Sequence, residues 1–393
     1  MSTPTQETTT PPPPKAQNSL TQGTLPRWTW AAMLAGSVAV AAALAAALGA
    51  AFGAESFLMP LWVVLVPVIY LPAMLILQWV RINKRKAIDG FWKNLVYLAF
   101  LIALLPLVSV IWSVVSVGLP GLLAPGFLAS DMSGITGRID QETMETGGDV
   151  LGGIRHAIIG SLVITLAATV ISVPIGLLTS IYLVEYSRGS WLSRAITFFV
   201  DVMTGIPSIV AGLFAAAATA WFISTASSLG LMAARPYTMG LTAAIALSVL
   251  MIPVVVRTTE EMLRVVPNEL REASYALGVR KWRTILKVVI PTAISGIASG
   301  VTLSIARVIG ETAPILVTAG FVVNANWNLV SGWMATLPVY IYRQFQNPIA
   351  PAATEPSEQR AWAAALVLII IVMLLNLAAR IIAQVFAPKK TGR

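Results

Sequence analysis

One arginine and one glutamate are the charged residues of a long apolar segment near the carboxyl end of the chain. Arg307 and Glu311 lie four residues apart within Ile294–Ala319. A charge at membrane depth is costly and usually functional. A guanidinium there can bind an oxyanion, whereas a carboxylate one helical turn away can pair with it instead. The spacing therefore predicts either an anion contact at Arg307, with Glu311 positioning it or exchanging partners, or an ion pair that only locks the helix.

The segment Gly205–Ser208 interrupts a second apolar run and offers a different kind of anion contact. Pro207 lacks an N–H donor, so a helix passing through it should kink or break. The half-helix after the break would present free N–H groups, with the Ser208 hydroxyl beside them. A plain proline kink has the same pattern, so both interpretations stay open. The candidate pathway residues are Thr204, Pro207, Ser208, Arg307, Glu311 and Thr312.

Other kinds of chemistry lack the residues that they require. The sequence has no cysteine and one histidine, which excludes thiolate catalysis, multi-histidine metal sites and most catalytic triads. It has no G-x-x-x-x-G-K-[ST] phosphate loop, so we expect no ATP site in this chain, and no cofactor. His156 is expected to be solvated at the outer end of a span. A membrane enzyme is thus disfavoured.

Composition shows what must position these residues. The 393 residues are 57% hydrophobic and 11% charged, and the mean hydropathy is +0.80. A single soluble core cannot bury that much apolar surface, so the solvent must be lipid. The sequence therefore predicts an all-α, polytopic membrane protein. The net charge of +9 fits basic cytoplasmic loops. The sequence has no basic run interleaved with aromatic residues, so nucleic acid is not an expected partner.

Eight apolar segments are long enough to span a bilayer. The first two form a predicted hairpin with a tight turn at Glu55–Ser56. The predicted spans are Trp28–Ala54, Phe57–Val80, Leu95–Val117, Ala157–Val184, Ile196–Ala226, Leu241–Val256, Ile294–Ala319 and Ala361–Val385.

The basic loops predict the orientation of these spans. Arginine and lysine cluster after the second, fourth, sixth and eighth spans, whereas the loop between the third and fourth spans is acidic. Because cytoplasmic loops carry the excess of basic residues, both termini are expected on the cytoplasmic side. The membrane is expected to be the bacterial plasma (inner) membrane.

The polar loop Arg257–Pro291 is patterned rather than random. Asn268 is a good predicted N-cap, and Gly278 is suited to the C′ position that ends a helix. A second amphipathic stretch, Lys281–Val289, should follow and end at Pro291, with Trp282, Ile285, Leu286 and Val289 on one stripe. Alone, this pattern would also suit an interfacial amphipathic helix.

The spacing within this loop resembles the EAA loop of type I ABC importer permeases. Glu272, Ala273, Ser274, Gly278 and Pro291 match that motif, with Ser274 in place of the second alanine. The resemblance implies a six-helix permease core, and it implies that the loop helix docks in a groove of a cytoplasmic ATPase and couples to it. Arg257 and Glu260 open the loop as they do in phosphate permeases, and are counted with the coupling residues.

The run Ala306–Pro314, with Thr204–Phe214 and Ile181–Tyr186, resembles the PstA-type permease subunit of phosphate ABC importers. That resemblance covers about Phe91 to Ile382. It implies phosphate as substrate, and as partners a PstC-like second permease, two ATPase subunits, an extracytoplasmic phosphate-binding protein and membrane lipid. A permease for another oxyanion, such as sulfate or molybdate, and an ion-driven secondary transporter or channel are the alternatives.

The predicted division of the chain follows from these patterns. Residues 1–27 form a Pro/Thr-rich, disordered cytoplasmic tail, and residues 28–90 form an added hairpin with its basic loop. Residues 91–388 are the permease domain, and residues 389–393 are a basic tail.

Overall fold

The computed structural model describes residues 25–26, 28–52, 58–187 and 189–385. All regular structure within those ranges is helical, which confirms the all-α class. Eight helical segments of the described chain are long and apolar enough to cross a membrane. The predicted tails and the predicted turn at Glu55–Ser56 fall wholly or mainly outside the described residues.

The chain divides into two compact units, Met1–Val110 and Ile111–Arg393. In the first unit, α1 (Thr29–Ala51) packs on α2 (Met59–Arg81), and α3 (Lys84–Leu123) begins. The buried positions of α1 are Ser37, Ala41, Ala45 and Gly49, one helical turn apart. Small residues at this spacing let two membrane helices approach closely.

The second unit contains the end of α3 and the remaining helices. They are α4 (Gly137–Thr146), α5 (Arg155–Ile181) with a π-helical turn (Tyr182–Tyr186), α6 (Trp191–Thr204), α7 (Ser208–Ser228), α8 (Gly240–Val265), α9 (Asn268–Ala276), α10 (Lys281–Thr284) with a π-helical turn (Ile285–Val289), α11 (Ile290–Val308), α12 (Ala313–Thr318), α13 (Leu337–Gln346) and α14 (Glu355–Val385).

The core of the second unit is the pair α5 and α8. A Cβ atom on Gly176 of α5 would lie 2.6 Å from a methyl group of Val255, so no larger residue fits at this contact. The Ser180 hydroxyl donates across the same interface to the carbonyl oxygen of Val256 at 2.9 Å. These two contacts fix α5 against the half of α8 that leads to the EAA-like loop.

Two predicted spans are each divided into two helices. The predicted span Ile196–Ala226 is two helices, because Pro207 ends α6 and α7 starts after it. The predicted span Ile294–Ala319 ends at Val308, and α12 starts anew at Ala313. Proline residues lie at or next to the start of both new helices, where a missing N–H donor costs nothing.

The sixth span is longer than predicted, because no helix-breaking residue follows Pro253 until Pro267 and α8 continues through Val265. The proposed boundary between residues 90 and 91 lies inside α3, and the compact units divide between Val110 and Ile111. The division into domains by function stays a prediction.

Candidate coupling surface and translocation site

The EAA-like loop forms α9, which begins one residue earlier than predicted. Pro267 occupies the N-cap position in an extended conformation, and Asn268 is the first helical residue. The Asn268 side chain therefore caps no backbone N–H and instead accepts a hydrogen bond from Arg271 at 3.3 Å. Proline at the N-cap position presets the backbone angle at the start of the helix, and Glu269 lies in the first turn, where its charge suits the helix dipole.

The end of α9 confirms the predicted role of Gly278. This residue has a φ of +72°, in the left-handed region that favours glycine. The N–H of Val279 donates to the carbonyl oxygen of Ser274 at 3.2 Å, and the N–H of Gly278 donates to Tyr275 at 2.9 Å. This bonding pattern closes the helix and turns the chain toward α10.

Pro291 does not end the second stretch of the loop, contrary to the prediction. Helical structure is continuous from Lys281 through Val308, and Pro291 lies at the start of α11. A π-helical turn, Ile285–Val289, directly precedes it. The wider π turn accommodates the proline ring, which would clash with a preceding carbonyl group in an α-helix.

The same π turn divides the predicted apolar stripe. Ile285 and Val289 are buried, whereas Trp282 and Leu286 are exposed. The four side chains therefore do not share one face, because the predicted stripe requires a regular α-helical period.

Ser274 replaces the second alanine of the EAA pattern and forms a contact that alanine lacks. Its hydroxyl lies 2.8 Å from the hydroxyl of Thr284, and both side chains are buried. A hydrogen bond between buried hydroxyl groups contributes about 1 kcal/mol. The serine therefore joins α9 to α10.

A buried ion pair ties α9 to the end of α5, and sequence reasoning missed its role. Arg271 donates through Nε and Nη2 to one carboxylate oxygen of Glu185, at 3.0 and 2.9 Å. The same guanidinium donates to the carbonyl oxygens of Leu263 and Val266 at the end of α8. Arg271 thus joins α5, α8 and α9.

A second basic residue strengthens this junction. Lys281, the first residue of α10, donates to the carbonyl oxygen of Glu185, and its ammonium group lies 5.0 Å from the ring centroid of Tyr186. A movement of the loop α9–α10 therefore acts on the end of α5 through the contacts of Arg271 and Lys281 with Glu185.

Removing the carboxylate at Glu185 should destabilise this junction. The Glu185 side chain is 5% exposed and that of Arg271 is 12% exposed. Loss of one partner of a buried pair costs about 3–5 kcal/mol. We expect Glu185→Gln to lower the apparent melting temperature of the purified protein in detergent, measured by tryptophan fluorescence. Glu272→Gln, the same change on exposed α9, should leave it unchanged; equal melting temperatures for both variants would contradict the assignment.

Arg257 and Glu260 belong to the last turns of α8 rather than to the loop. Glu260 is buried between Arg257, at 2.9 Å, and Arg264, at 2.5 Å. Arg257 also contacts Asp201 of α6. The chain of charges holds the α6 end of the Gly205–Ser208 break against α8.

The outer face of α9 has no partner within the described chain. Glu272, Ala273, Ala276 and Leu277 are exposed, and Leu270 on the same helix is 43% exposed. An exposed apolar patch rimmed by charge is typical of a protein interface. One side of α9 is therefore held against α5 and α8, whereas its other side contacts no described residue.

Arg307 and Glu311 do not form the predicted intrahelical pair. Arg307 is exposed in the last turn of α11, and no described residue pairs with its guanidinium. Glu311 lies beyond the end of the helix, where its N–H donates to the carbonyl oxygen of Val308. Gly310 interrupts the helix between the two residues, so the spacing of four no longer corresponds to one α-helical turn.

The two helix breaks lie beside each other. A Cβ atom on Gly212, one turn into α7, would lie 2.7 Å from the Cα atom of Pro314 at the start of α12. The N–H groups of Ser208 and Ile209 find no acceptor among the described residues, as is usual at a helix N-terminus. Thr204 uses its hydroxyl within α6, where it donates to Val200, and Thr312 occupies the N-cap position of α12.

The end of the second unit opposite α9 contains a second buried ion pair. Arg360 of α14 and Asp140 of α4 are each 1% exposed and lie 2.5 Å apart. His156 nearby is buried rather than solvated, and its ring packs edge-on against Phe321 and Tyr340. Burial raises the pKa of Tyr340. The helix α5, about 40 Å long, separates this end from Glu185.

Comparisons with known proteins agree with this architecture. Residues 172–392 match the family described as "Binding-protein-dependent transport system inner membrane component". Phosphate transport system permease protein PstA 1 of Mycobacterium tuberculosis (strain CDC 1551 / Oshkosh) is 42% identical over 316 residues, which cover 80% of this chain and 92% of that protein. Phosphate transport system permease protein PstA of Mycobacterium leprae (strain TN) is 43% identical over 281 residues, covering 72% and 84%.

A solved structure is also similar in part. A bacterial ABC transporter involved in the import of the acidic polysaccharide alginate aligns with a TM-score of 0.46 and 14% identity, covering 75% of this chain and 98% of that chain. The family match covers more than half of the described helices, including the EAA-like loop and both helix breaks. The chain belongs to the family of inner membrane components of binding-protein-dependent transport systems.

Proposed function

We propose that this chain is a permease subunit of an ATP-driven phosphate importer, forming with its partners the pathway for inorganic phosphate. The observation that carries the proposal is the similarity to the tuberculosis PstA 1 protein, which extends over 92% of that protein. Similarity over nearly a whole relative includes the pathway helices as well as the loop α9–α10. If the chain were a permease for another oxyanion, the resemblance of the run Arg307–Pro314 to PstA-type subunits would be unexplained.

The pathway is proposed to run past the two adjacent helix breaks. Arg307 supplies a cation that no described residue neutralises, and the start of α7 supplies the free N–H groups of Ser208 and Ile209. Phosphate loses most of its hydration at membrane depth, so it requires such donors and positive charge. Glu311 and Thr312, which follow Arg307 beyond the end of α11, are proposed to line the same segment with Thr204 and Pro207.

The partner ATPase subunits are proposed to act on this chain through the exposed face of α9. The chain itself has no phosphate-loop motif, so ATP hydrolysis belongs to two partner ATPase subunits. The apolar face at Leu270 and Leu277 docks on an ATPase, and Arg271 passes the movement to α5 and α8. A PstC-like permease completes the membrane pathway, and a phosphate-binding protein delivers the substrate to the opposite face.

Both termini and the loop α9–α10 are proposed to lie in the cytoplasm. The chain has no natural cysteine, so one introduced thiol can be labelled without background. We expect a membrane-impermeant maleimide to label Glu272→Cys only in inside-out vesicles and Glu145→Cys only in right-side-out vesicles. Labelling of both thiols from the same side would contradict the orientation.

The proposed function is tested by uptake. The chain, expressed with its partner subunits in cells that lack their own high-affinity phosphate importer, should restore uptake of radiolabelled phosphate. A tagged form should co-purify with an ATPase subunit. Uptake that excess sulfate or molybdate abolishes would assign the chain to another oxyanion, and uptake independent of ATP would assign it to ion-driven transport.

A further inference from the structure

The first unit contains an open cleft among α1, α2 and the first half of α3. Two cavities, of about 470 Å³ and about 290 Å³, share the lining residues Trp30, Tyr70, Asn94 and Tyr97. Because four residues border both, the cavities form one continuous cleft. One end of the cleft is polar and the other is apolar, so it suits an elongated, amphiphilic molecule better than a small ion.

One end of the cleft is polar and positively charged. Gln78, Lys93 and Asn94 line it. The side-chain amides of Gln78 and Asn94 have no hydrogen-bond partner among the described residues, and no described carboxylate pairs with Lys93. The Lys93 ammonium instead lies 5.6 Å from the ring centroid of Tyr97. A further opening at this end is bordered by Lys86 and Asp89.

The other end of the cleft is apolar. Leu34, Val66, Leu98 and Leu101 line it. Leu101 lies eight residues beyond Lys93 on α3, which is about 12 Å along the helix axis. The cleft therefore runs from the charged end of the unit to hydrocarbon depth.

The aromatic residues around the polar end place it at the level of lipid headgroups. Trp28, Trp30, Trp79 and Trp92 are all more than half exposed, and each lies at the same end of its helix as the cluster Arg81–Lys86. Tryptophan is enriched at membrane interfaces, and basic clusters beside a span attract anionic lipids.

We propose that this cleft binds one anionic phospholipid. The lipid phosphate contacts Lys93 and accepts hydrogen bonds from the amides of Gln78 and Asn94, while an acyl chain lies along Leu98 and Leu101. Positive charge selects an anionic headgroup over a zwitterionic one. A free phosphate ion would leave the apolar half of the cleft empty, so the bilayer, and not the transported substrate, is the source of this ligand.

The charge contact is tested by lipid retention on the purified full-length chain. Phosphatidylglycerol and phosphatidylcholine are supplied in mixed micelles, and bound lipid is measured by native mass spectrometry. We expect phosphatidylglycerol to be retained preferentially, and Lys93→Gln to weaken its retention about five-fold. Lys287→Gln, the same change in the second unit and away from the cleft, should have no such effect. Equal retention of the two lipids, or equal loss in both variants, would overturn the proposal.

The apolar contact needs its own variant. Leu98→Trp should fill the acyl end of the cleft and reduce phosphatidylglycerol retention without changing the charge. Val96→Trp, on the same helix but exposed and outside the cleft, is the control. Unchanged retention in Leu98→Trp, or displacement of the lipid by inorganic phosphate, would overturn an acyl-binding cleft.

Discussion

Arg307→Gln should abolish phosphate uptake while the subunit still assembles with its partners. The guanidinium is exposed in the last turn of α11 and no described residue pairs with it, so its removal leaves no carboxylate unpaired. Losing one side of a close charge contact costs about 2–5 kcal/mol, so we expect transport to fall by roughly two orders of magnitude. Radiolabelled phosphate uptake, normalised to the amount of assembled complex, measures the effect.

Two further variants separate anion binding from scaffolding. Arg380→Gln removes an exposed arginine from α14 and should leave uptake normal. The double change Arg307→Gln with Glu311→Gln should remain inactive, because two neutral amides cannot replace a cation that contacts phosphate. Normal uptake by the well-expressed double variant would leave Arg307 without a role in transport.

Gly278→Val should uncouple ATP hydrolysis from transport without preventing membrane insertion. The φ of +72° costs a residue with a side chain about 1–2 kcal/mol, and a β-branched residue is strained further. Relief of this strain would break the bond from Val279 to Ser274 that closes α9. The direction of the chain from α9 to α10 would then change, and the hydrogen bond between Ser274 and Thr284 would be lost.

The expected readouts are phosphate uptake and substrate-stimulated ATPase activity of the purified complex. Uptake and the stimulation of ATPase activity by substrate should each fall by about tenfold, which corresponds to the strain energy at this position, whereas ATP hydrolysis without substrate should continue. Gly230→Val provides the matched control, since Gly230 has a φ of +70° in a loop at the far end of α7. If Gly278→Val works normally, or if both variants lose activity equally, the turn after α9 has no special role in coupling.

The features that sequence predicts well here are those set by local or periodic patterns. Apolar segments of spanning length predicted the helical class and eight spanning helices, because lipid leaves the backbone no other partner than itself. Gly278 was assigned from the pattern that precedes it, since few residues other than glycine adopt its backbone conformation. The break at Pro207 followed from the missing N–H donor.

The features that sequence does not predict arise from tertiary contacts or from small changes of helical pitch. Glu185 and Arg271 are 86 residues apart, and Asp140 and Arg360 are 220 residues apart, so neither pair has a local signal. The π-helical turn before Pro291 accommodates a residue that ordinarily ends a helix. Arg307 and Glu311 show the same limit, since a spacing of four predicts an ion pair only if the helix continues through Gly310.

The most direct test of ATP-driven phosphate import is transport by the purified complex in proteoliposomes. The chain is reconstituted with its PstC-like partner, the ATPase subunits and the phosphate-binding protein, and entry of radiolabelled phosphate is followed with and without ATP. We predict ATP-dependent phosphate accumulation that excess sulfate does not reduce and that Arg307→Gln eliminates. Accumulation driven by an ion gradient without ATP, or ATP-dependent entry of sulfate in preference to phosphate, would contradict it.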